Sequence, residues 1–407
     1  MRDKDLYAQI LGLSAPWFVE DVTLKQVSNE ILISVGLRGP IVLLCPVCQE
    51  QMTRHDSRKR RWRHLDTCQY RTILEADVPR GRCEEHGVKQ ISVPWAENRS
   101  KFTALFERLV IDWLKEAGQT PVGRRMDLTW DEVHGVMKRA VRRGVDRREV
   151  VLVKKIGVDE KSFLKRHDYV TVVTNLETGK VLFVGEGRRK ESLDAFYRSL
   201  TSDQLEAIEV VVMDMWEGYI QSTVEHVPAA WDKIVFDKFH ISKHLNDAVD
   251  KVRRQEHKQL QADGESALKG TKYSWLKGTA KFTPGAWKSF KELRDSDLKT
   301  ARAWAIKENF QNFWGYVYKG AAENFFEKWY AWAIRSKIEP IKRVARMLQR
   351  KLYNILTYLE YRVTNAISEG VNSIIQWIKY TARGFRNREN FKTAILFHLG
   401  GLDLYPH

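Results

Sequence analysis

Between residues 150 and 236, short apolar runs rich in β-branched side chains alternate with turn signals, and both flanks carry apolar positions at helical spacing. Runs at 150–158, 169–174 and 181–184, joined by segments such as Glu177-Thr178-Gly179, predict an antiparallel meander. A helix over 192–200 then leads to a strand at 210–213, and a further strand is predicted at 233–236. Upstream, Phe102, Leu105, Phe106, Leu109 and Trp113 form a helical stripe that stops near Gly118. A helix over 121–126 follows, then a second opening at Thr129-Trp130-Asp131-Glu132, where Thr and Glu stand at capping-box spacing. Val133, Val136 and Met137 continue that second helix, and the pair reads as a helix-turn-helix. Residues 251–361 lack sustained two-residue alternation and read as all-helical, with Trp304, Phe310, Phe313, Trp314, Phe325, Phe326 and Trp329 as core. Near the end, Ile367, Val371, Ile374, Ile375 and Ile378 mark one face of a further helix, while Asn365, Glu369 and Asn372 share another.

Three carboxylates stand out against this frame. Asp159 and Asp214 each follow a β-branched run, where a buried strand delivers a polar residue to a sheet edge, and Glu369 rides on the late helix. Mg²⁺ takes oxygen ligands and keeps several waters, so carboxylates from separate elements suit it better than a His or Cys cage. Two such ions activate an attacking oxygen and stabilise a leaving one in phosphoryl transfer. The plainer alternative is structural, since the chain holds 52 acidic residues and an Asp after a strand often only caps a helix or turn.

Composition narrows the partner. The chain has 407 residues, 43% hydrophobic with 14 Trp and 17 Phe, enough to bury the cores of two to four domains. A formal charge of +16 favours a polyanionic partner such as DNA or RNA. The opening segment carries no apolar core with a small-residue cleavage site, no run of 18 apolar residues occurs, and the ending at His407 shows no targeting signal. A cytoplasmic protein, associated with the nucleoid when bound to DNA, is therefore expected, with no membrane partner.

The four cysteines fit metal binding in a reducing compartment better than disulfides. Cys45-Pro46-Val47-Cys48 and Cys83-Glu84-Glu85-His86 are two ligand pairs in turns, the arrangement of a closed tetrahedral zinc site. His64 with Cys68 is the rival pair. Between the zinc pairs, Arg58, Lys59, Arg60, Arg61 and Arg63 surround Trp62, either a solvated edge or a phosphate-contacting strip. Lys138, Arg139, Arg142 and Arg143 lie on the second helix of the helix-turn-helix. Lys342, Arg343, Arg346 and Arg350 give another helix a basic face opposite Ile341, Val344, Ala345, Leu348 and Leu352. Arg383, Arg386 and Arg388 follow Glu369 and could neutralise phosphates near the metal site. For each group the alternative is a solvated surface.

Over nearly its whole length, from CPVC at Cys45 to FHLGGL ending at Leu402, the chain resembles a bacterial insertion-sequence transposase of the DDE type, in the ISL-three family. The resemblance rests on HLDTCQY, RCEEHGV and VPWAE, on GVDEKSF, on MDMWEGY with VFDKFHISKHL, and on EGVNSIIQWIKYTARGFRN. It implies a multidomain α+β protein: a zinc-binding module (1–100), a helix-turn-helix domain (101–149), and an RNase-H-like α/β catalytic domain (150–250 and 362–407) interrupted by an all-helical insertion (251–361). The 154 residues between Asp214 and Glu369 agree with such an insertion. It also implies Asp159, Asp214 and Glu369 as the catalytic triad on two Mg²⁺ (or Mn²⁺) ions. Asp237 and His240 resemble a D-x-x-H element that follows the second catalytic Asp, and Trp377 lies at a position for strand contacts near the cut. Water would cleave at each terminal inverted repeat, and the freed 3′ hydroxyl would attack target DNA. Synapsis of two ends implies a homodimer or larger assembly. A DNA-binding regulator that no longer cuts, and a structure-specific nuclease on the same core, are the alternatives.

Overall fold

The computed structural model describes residues 3–164, 168–363, 366–385 and 387–406. The chain forms two compact units: residues 1–149, 378–384 and 396–407 make up the first, and residues 150–377 and 385–395 the second.

The first unit opens with α1 (Asp3–Ile10) and five strands: β1 (Trp17–Lys25), β2 (Glu30–Leu37), β3 (Thr53–Arg63), β4 (Arg71–Cys83) and β5 (Gly87–Gln90). They form one sheet in the order β1-β2-β4-β3, with β5 on β4; β2 and β4 run parallel and the other pairs antiparallel. Ile31, Ile33 and Val35 on β2 and Leu74, Ala76 and Val78 on β4 turn inward at alternate positions. That alternation, rather than the metal-ligand pairs, is the sequence signal for a sheet larger than a zinc knuckle. Trp62, the one aromatic of the basic run, is 1% exposed and meets Trp95 edge-to-face at 5.3 Å.

Three helices follow: α2 (Ala104–Glu116), α3 (Gln119–Met126) and α4 (Trp130–Asp146). Thr103 caps α2, and α4 opens on the expected capping box, Thr129 accepting from the Glu132 amide while Glu132 accepts from the Thr129 amide. The turn between α3 and α4 demands Gly123, because a Cβ there would lie 2.8 Å from the Leu128 carbonyl oxygen.

The second unit is built on β6 (Lys155–Leu164), β7 (Asp168–Asn175), β8 (Val181–Glu186), β9 (Val210–Met213) and β10 (Ile234–Phe236). Their order is β10-β9-β6-β7-β8; β10, β9 and β6 are parallel, and β6, β7 and β8 form the antiparallel meander. Helices α5 (Lys190–Tyr197), α6 (Ser202–Glu206), α7 (Glu217–His226) and α8 (Ala230–Lys233) lie between these strands in sequence. Two expectations need correction. The first strand begins at Lys155 and not at residue 150, since Val150, Val151 and Leu152 are exposed and β6 first finds a neighbour where Lys155 pairs with Val210. It also runs past Asp159 to Leu164, because β7 continues alongside after β9 has ended. Asp159 therefore sits inside a strand, at the point where one neighbour stops.

From Lys238 to Tyr361 every regular element among the described residues is helical: α9 (Lys238–Ala262), α10 (Lys272–Leu276), α11 (Pro284–Arg294), α12 (Lys299–Phe310), α13 (Lys319–Arg335), α14 (Glu339–Arg350) and α15 (Leu352–Tyr361), with two short 3₁₀ turns. The helices start directly after β10, ahead of residue 251, and share one hydrophobic cluster with the sheet. Ile241, Leu245, Ala248, Val249 and Val252 carry that core along one face of α9. The aromatics Phe310, Phe313, Phe326 and Trp329 are fully buried within it. Two helices complete the chain, α16 (Ala366–Thr381) and α17 (Arg388–Leu399). No described helix is long and apolar enough to cross a membrane.

Candidate functional site

Strand register assembles the acidic site. Gly157 pairs with Val212 and Phe236 with Met213 across the parallel strands, so continuing the register brings Asp159 on β6 level with Asp214 and Asp237, the residues just past the ends of β9 and β10. Neighbouring strands lie about 4.8 Å apart. All three aspartates line a single cavity, together with Lys161, His240 and Asn372.

The local chemistry differs at each. Asp159 accepts the Glu160 amide on Oδ1 at 2.7 Å, and its Oδ2 takes the Lys161 ammonium at 2.5 Å and the Asn372 amide at 3.4 Å. Asp214 accepts the Met215 amide at 2.6 Å on Oδ1 and presents Oδ2 to His240 Nδ1 at 3.5 Å. Asp237, buried, caps α9 by accepting the Phe239 amide at 2.8 Å, and its Oδ2 lies 3.8 Å from His240 Nε2. His240 thus stands between two carboxylates, one beside each ring nitrogen. His244, one turn further along α9, is held below the usual imidazole value, chiefly by burial and against the upward pull of Asp214.

Glu369 is placed differently from the aspartates. It is exposed on α16, and the residues of that helix that line the cavity are Ser368, Val371 and Asn372. Among the described residues, the one group of three or more His, Cys, Asp or Glu ligand atoms within 4.8 Å of one another is Cys45, Cys48, Cys83 and His86. Glu369 is thus one position away from the residues of α16 that line the cavity, and the cation against Asp159 is Lys161. Trp377 is partly exposed on α16 and is not a cavity-lining residue, and Asn365 lies outside the described residues. Asp237 and His240, expected near the site from the D-x-x-H element, do line the cavity, whereas Lys161 gave little local signal, because only the alternation along β6 brings it there.

The second cluster lies in the first unit. Cys45 and Cys48 occupy the turn between the bridged residues Leu44 and Gln51, Cys83 ends β4, and His86 immediately precedes β5. Cys48 Sγ is 3.7 Å from Cys83 Sγ, and His86 Nδ1 is 3.6 Å from Cys83 Sγ and 3.9 Å from Cys45 Sγ. A tetrahedral zinc with bonds near 2.3 Å to sulfur separates its sulfur ligands by about 3.8 Å, so the spacing fits that ion. Burial would raise the Cys45 thiol, but the amides of Cys48 and Val47 turn on it and bring it down to about 7. The rival pair is otherwise engaged: His64 is buried with Nδ1 2.9 Å from Thr103 Oγ1, and Cys68 is exposed.

Residues 156–395, well over half of the chain, match the family model of the ISL3 DDE domain, described as a transposase. The chain belongs to the ISL3 family of transposases. Residues 42–86 of this transposase match the zinc-finger of transposases IS204/IS1001/IS1096/IS1165, and residues 91–141 the helix-turn-helix domain of the ISL3 family. The transposase for insertion sequence element IS1001 of Bordetella parapertussis is 27% identical over 86% of this chain and 87% of its own length. The transposase for IS1557 of Mycobacterium tuberculosis is 24% identical over 98% of this chain and 96% of its own. The protein is a DNA-binding transposase; its zinc-ribbon segment contains the Cys₃His cluster, and its DDE domain implies a divalent metal.

The basic groups of the transposase divide by exposure. Lys138 and Arg142 are exposed on α4, but Arg139 and Arg143, expected beside them on the DNA face, turn inward. Arg139 donates from Nε to the buried Glu107 at 2.9 Å, and Arg143 reaches Glu107 at 3.3 Å and Glu97 at 2.5 Å. Helical spacing cannot tell an arginine that reaches solvent from one that reaches a buried carboxylate on the facing helix. The exposed stripe of α4 instead begins with Trp130, stacked on His134 at 4.8 Å, the two lying eight and four residues before Lys138. On β3, Lys59 and Arg61 pair with Glu75, Arg63 with Asp66, and Arg60 donates to Gln90, while Arg58 is exposed. On α14, Lys342, Arg343 and Arg346 share Glu339 at 3.4–3.5 Å and Arg350 is exposed. Arg383 is exposed at a positive φ, Arg388 pairs with Asp168 at 2.9 Å, and Arg386 lies outside the described residues.

Proposed function

We propose that this transposase binds the terminal inverted repeats of its own insertion sequence and catalyses metal-dependent strand cleavage followed by strand transfer to target DNA. The observation that carries this is the alignment of Asp159 on β6 with Asp214 and Asp237 at the ends of the adjacent strands β9 and β10, lining one cavity. The sheet order, a three-stranded antiparallel meander extended by two parallel strands, supports an RNase-H-like core, and the helices between β10 and α16 support a helical insertion.

The donors facing the cavity are carboxylate oxygens, the set that suits a hard divalent ion such as Mg²⁺ or Mn²⁺, and a cation already stands against Asp159. Asp159 and Asp214 would hold the metal, with Glu369 the third carboxylate from α16, whose Asn372 touches Asp159. Divalent ions at such a site activate the attacking oxygen and stabilise the leaving one. His240, beside Asp214 on one nitrogen and Asp237 on the other, is placed to hydrogen-bond the ligand carboxylate once the site closes on its ion. Lys138, Arg142 and Arg58 neutralise phosphates of the repeat. Joining two ends to one target calls for a homodimer on DNA, working in the cytoplasm on the nucleoid.

A cleavage assay on labelled DNA ending in the native repeat tests this, with Mg²⁺ or Ca²⁺ and with Asp214→Asn and Glu369→Gln beside the wild type. Cutting at the repeat boundary in Mg²⁺ alone, lost in both variants while repeat binding persists, is expected. Sustained cutting by Asp214→Asn would overturn the site; tight binding with no cutting by the wild type would make the protein a regulator.

A further inference from the structure

Lys161 lies two residues beyond Asp159 on β6, so both side chains point to the same face, into the cavity. Its side chain is only 13% exposed, and its ammonium is 2.5 Å from Asp159 Oδ2. The other oxygen of Asp159 is held by the Glu160 amide, so the oxygen that faces the cavity is the one Lys161 covers. The remaining carboxylates of the cavity are Asp214 and Asp237, both of which face His240.

We propose that Lys161 couples DNA binding to metal binding: its ammonium occupies the metal's place on Asp159, and a phosphate of the bound DNA strand draws it away. This rests on the reading that Asp159 and Asp214 hold the metal. The ammonium and a divalent ion compete for the same negative charge on the cavity-facing oxygen of Asp159, so the ion binds less tightly while Lys161 stays on it. A largely buried ammonium without a counter-charge is costly. With Asp214 committed to the same ion and Asp237 capping α9 and facing His240, the anion that receives Lys161 comes from outside, and the phosphodiester backbone is that anion. A flexible four-carbon stem ending in a compact charge suits the exchange. Metal therefore binds weakly to the free protein and tightly to the DNA complex, which keeps the cutting chemistry off until an end is in place. By linkage, metal must tighten DNA binding by the same factor that DNA tightens metal binding.

The test uses the full-length, zinc-loaded protein and Mn²⁺, with free Mn²⁺ followed by electron paramagnetic resonance, alone and with a duplex carrying the terminal repeat. Asp214→Asn with the same duplex supplies the background of Mn²⁺ bound to DNA. The duplex is expected to tighten Mn²⁺ binding by roughly tenfold, within the usual range of coupling between sites. Lys161→Met should bind Mn²⁺ without DNA about as tightly as the wild type does with it, and Lys161→Arg, which keeps the charge, should retain the dependence on DNA. Reciprocity is checked on the wild type with the same ion and a pre-cleaved repeat end: Mn²⁺ must tighten its binding, measured by fluorescence anisotropy, by a comparable factor. If Asp214→Asn binds Mn²⁺ as the wild type does, the metal-site reading fails. If Asp214→Asn loses the metal but Lys161→Met matches the wild type in both arms, or if DNA and metal bind the wild type independently, the role of Lys161 is overturned while the site stands.

Discussion

Removing the Glu107 carboxylate should loosen the helix-turn-helix more than any surface substitution on it. Glu107 is 1% exposed and receives Ser100 Oγ at 2.7 Å, two nitrogens of Arg139 and one of Arg143. Hydrogen bonds to a charged group contribute about 1.5–3 kcal/mol each, but they are not additive. Breaking a buried ion pair by deleting one partner costs about 3–5 kcal/mol, mostly because the other charge is stranded. Arg143 keeps Glu97 and the Leu404 carbonyl, and Arg139 has some access to water, so the loss for Glu107→Ala falls at the low end, about 3 kcal/mol. Glu107→Gln, which keeps one acceptor, should lose roughly half as much. Hydrogen exchange read by mass spectrometry localises the effect: amides of α2 and α4 should exchange roughly a hundredfold faster in Glu107→Ala, with those of β6 and β9 unchanged. An acceleration below about threefold would show that the two arginines are solvated well enough without Glu107, and the network would count as surface chemistry.

The zinc cluster predicts that a strong chelator, or Cys48→Ser, removes close to one zinc per chain and exposes the β4–β5 hairpin to protease, as ligand pairs from two separate turns lose their link; metal analysis with limited proteolysis checks this, and a folded zinc-free hairpin would refute it. Acid should destabilise the first unit before its carboxylates titrate. Burial holds both His64 and His398 down to about 4 against an ordinary 6.5, so each is neutral when folded and takes up a proton on unfolding below pH 6.5. Stability is then complete above that pH and falls by about 1.4 kcal/mol per pH unit for each imidazole down to about pH 4. Urea unfolding of the wild type and His64→Gln across this window should show the shallower slope in the variant; equal slopes would mean His64 is hydrated.

Local chemistry was legible in the chain itself. The two zinc pairs, the capping box at Thr129 and Glu132, and the aspartates after apolar runs are short-range patterns, each set by a few neighbouring residues whose geometry follows from turns, caps and strand alternation. The mixed α and β architecture and the family motifs were readable for the same reason. What joins distant segments was decided only by the tertiary structure. Register across β10, β9 and β6 levels Asp237 with Asp159 and Asp214, and the longer partner β7 carries β6 beyond Asp159 so that Lys161 shares its face. The packing of α2 against α4 turns Arg139 and Arg143 toward a buried Glu107, and the rotation of α16 presents Asn372 rather than Glu369 to the cavity. Helical spacing states which residues share a face but not what that face meets, because the facing partner is chosen by the whole core and not by the helix.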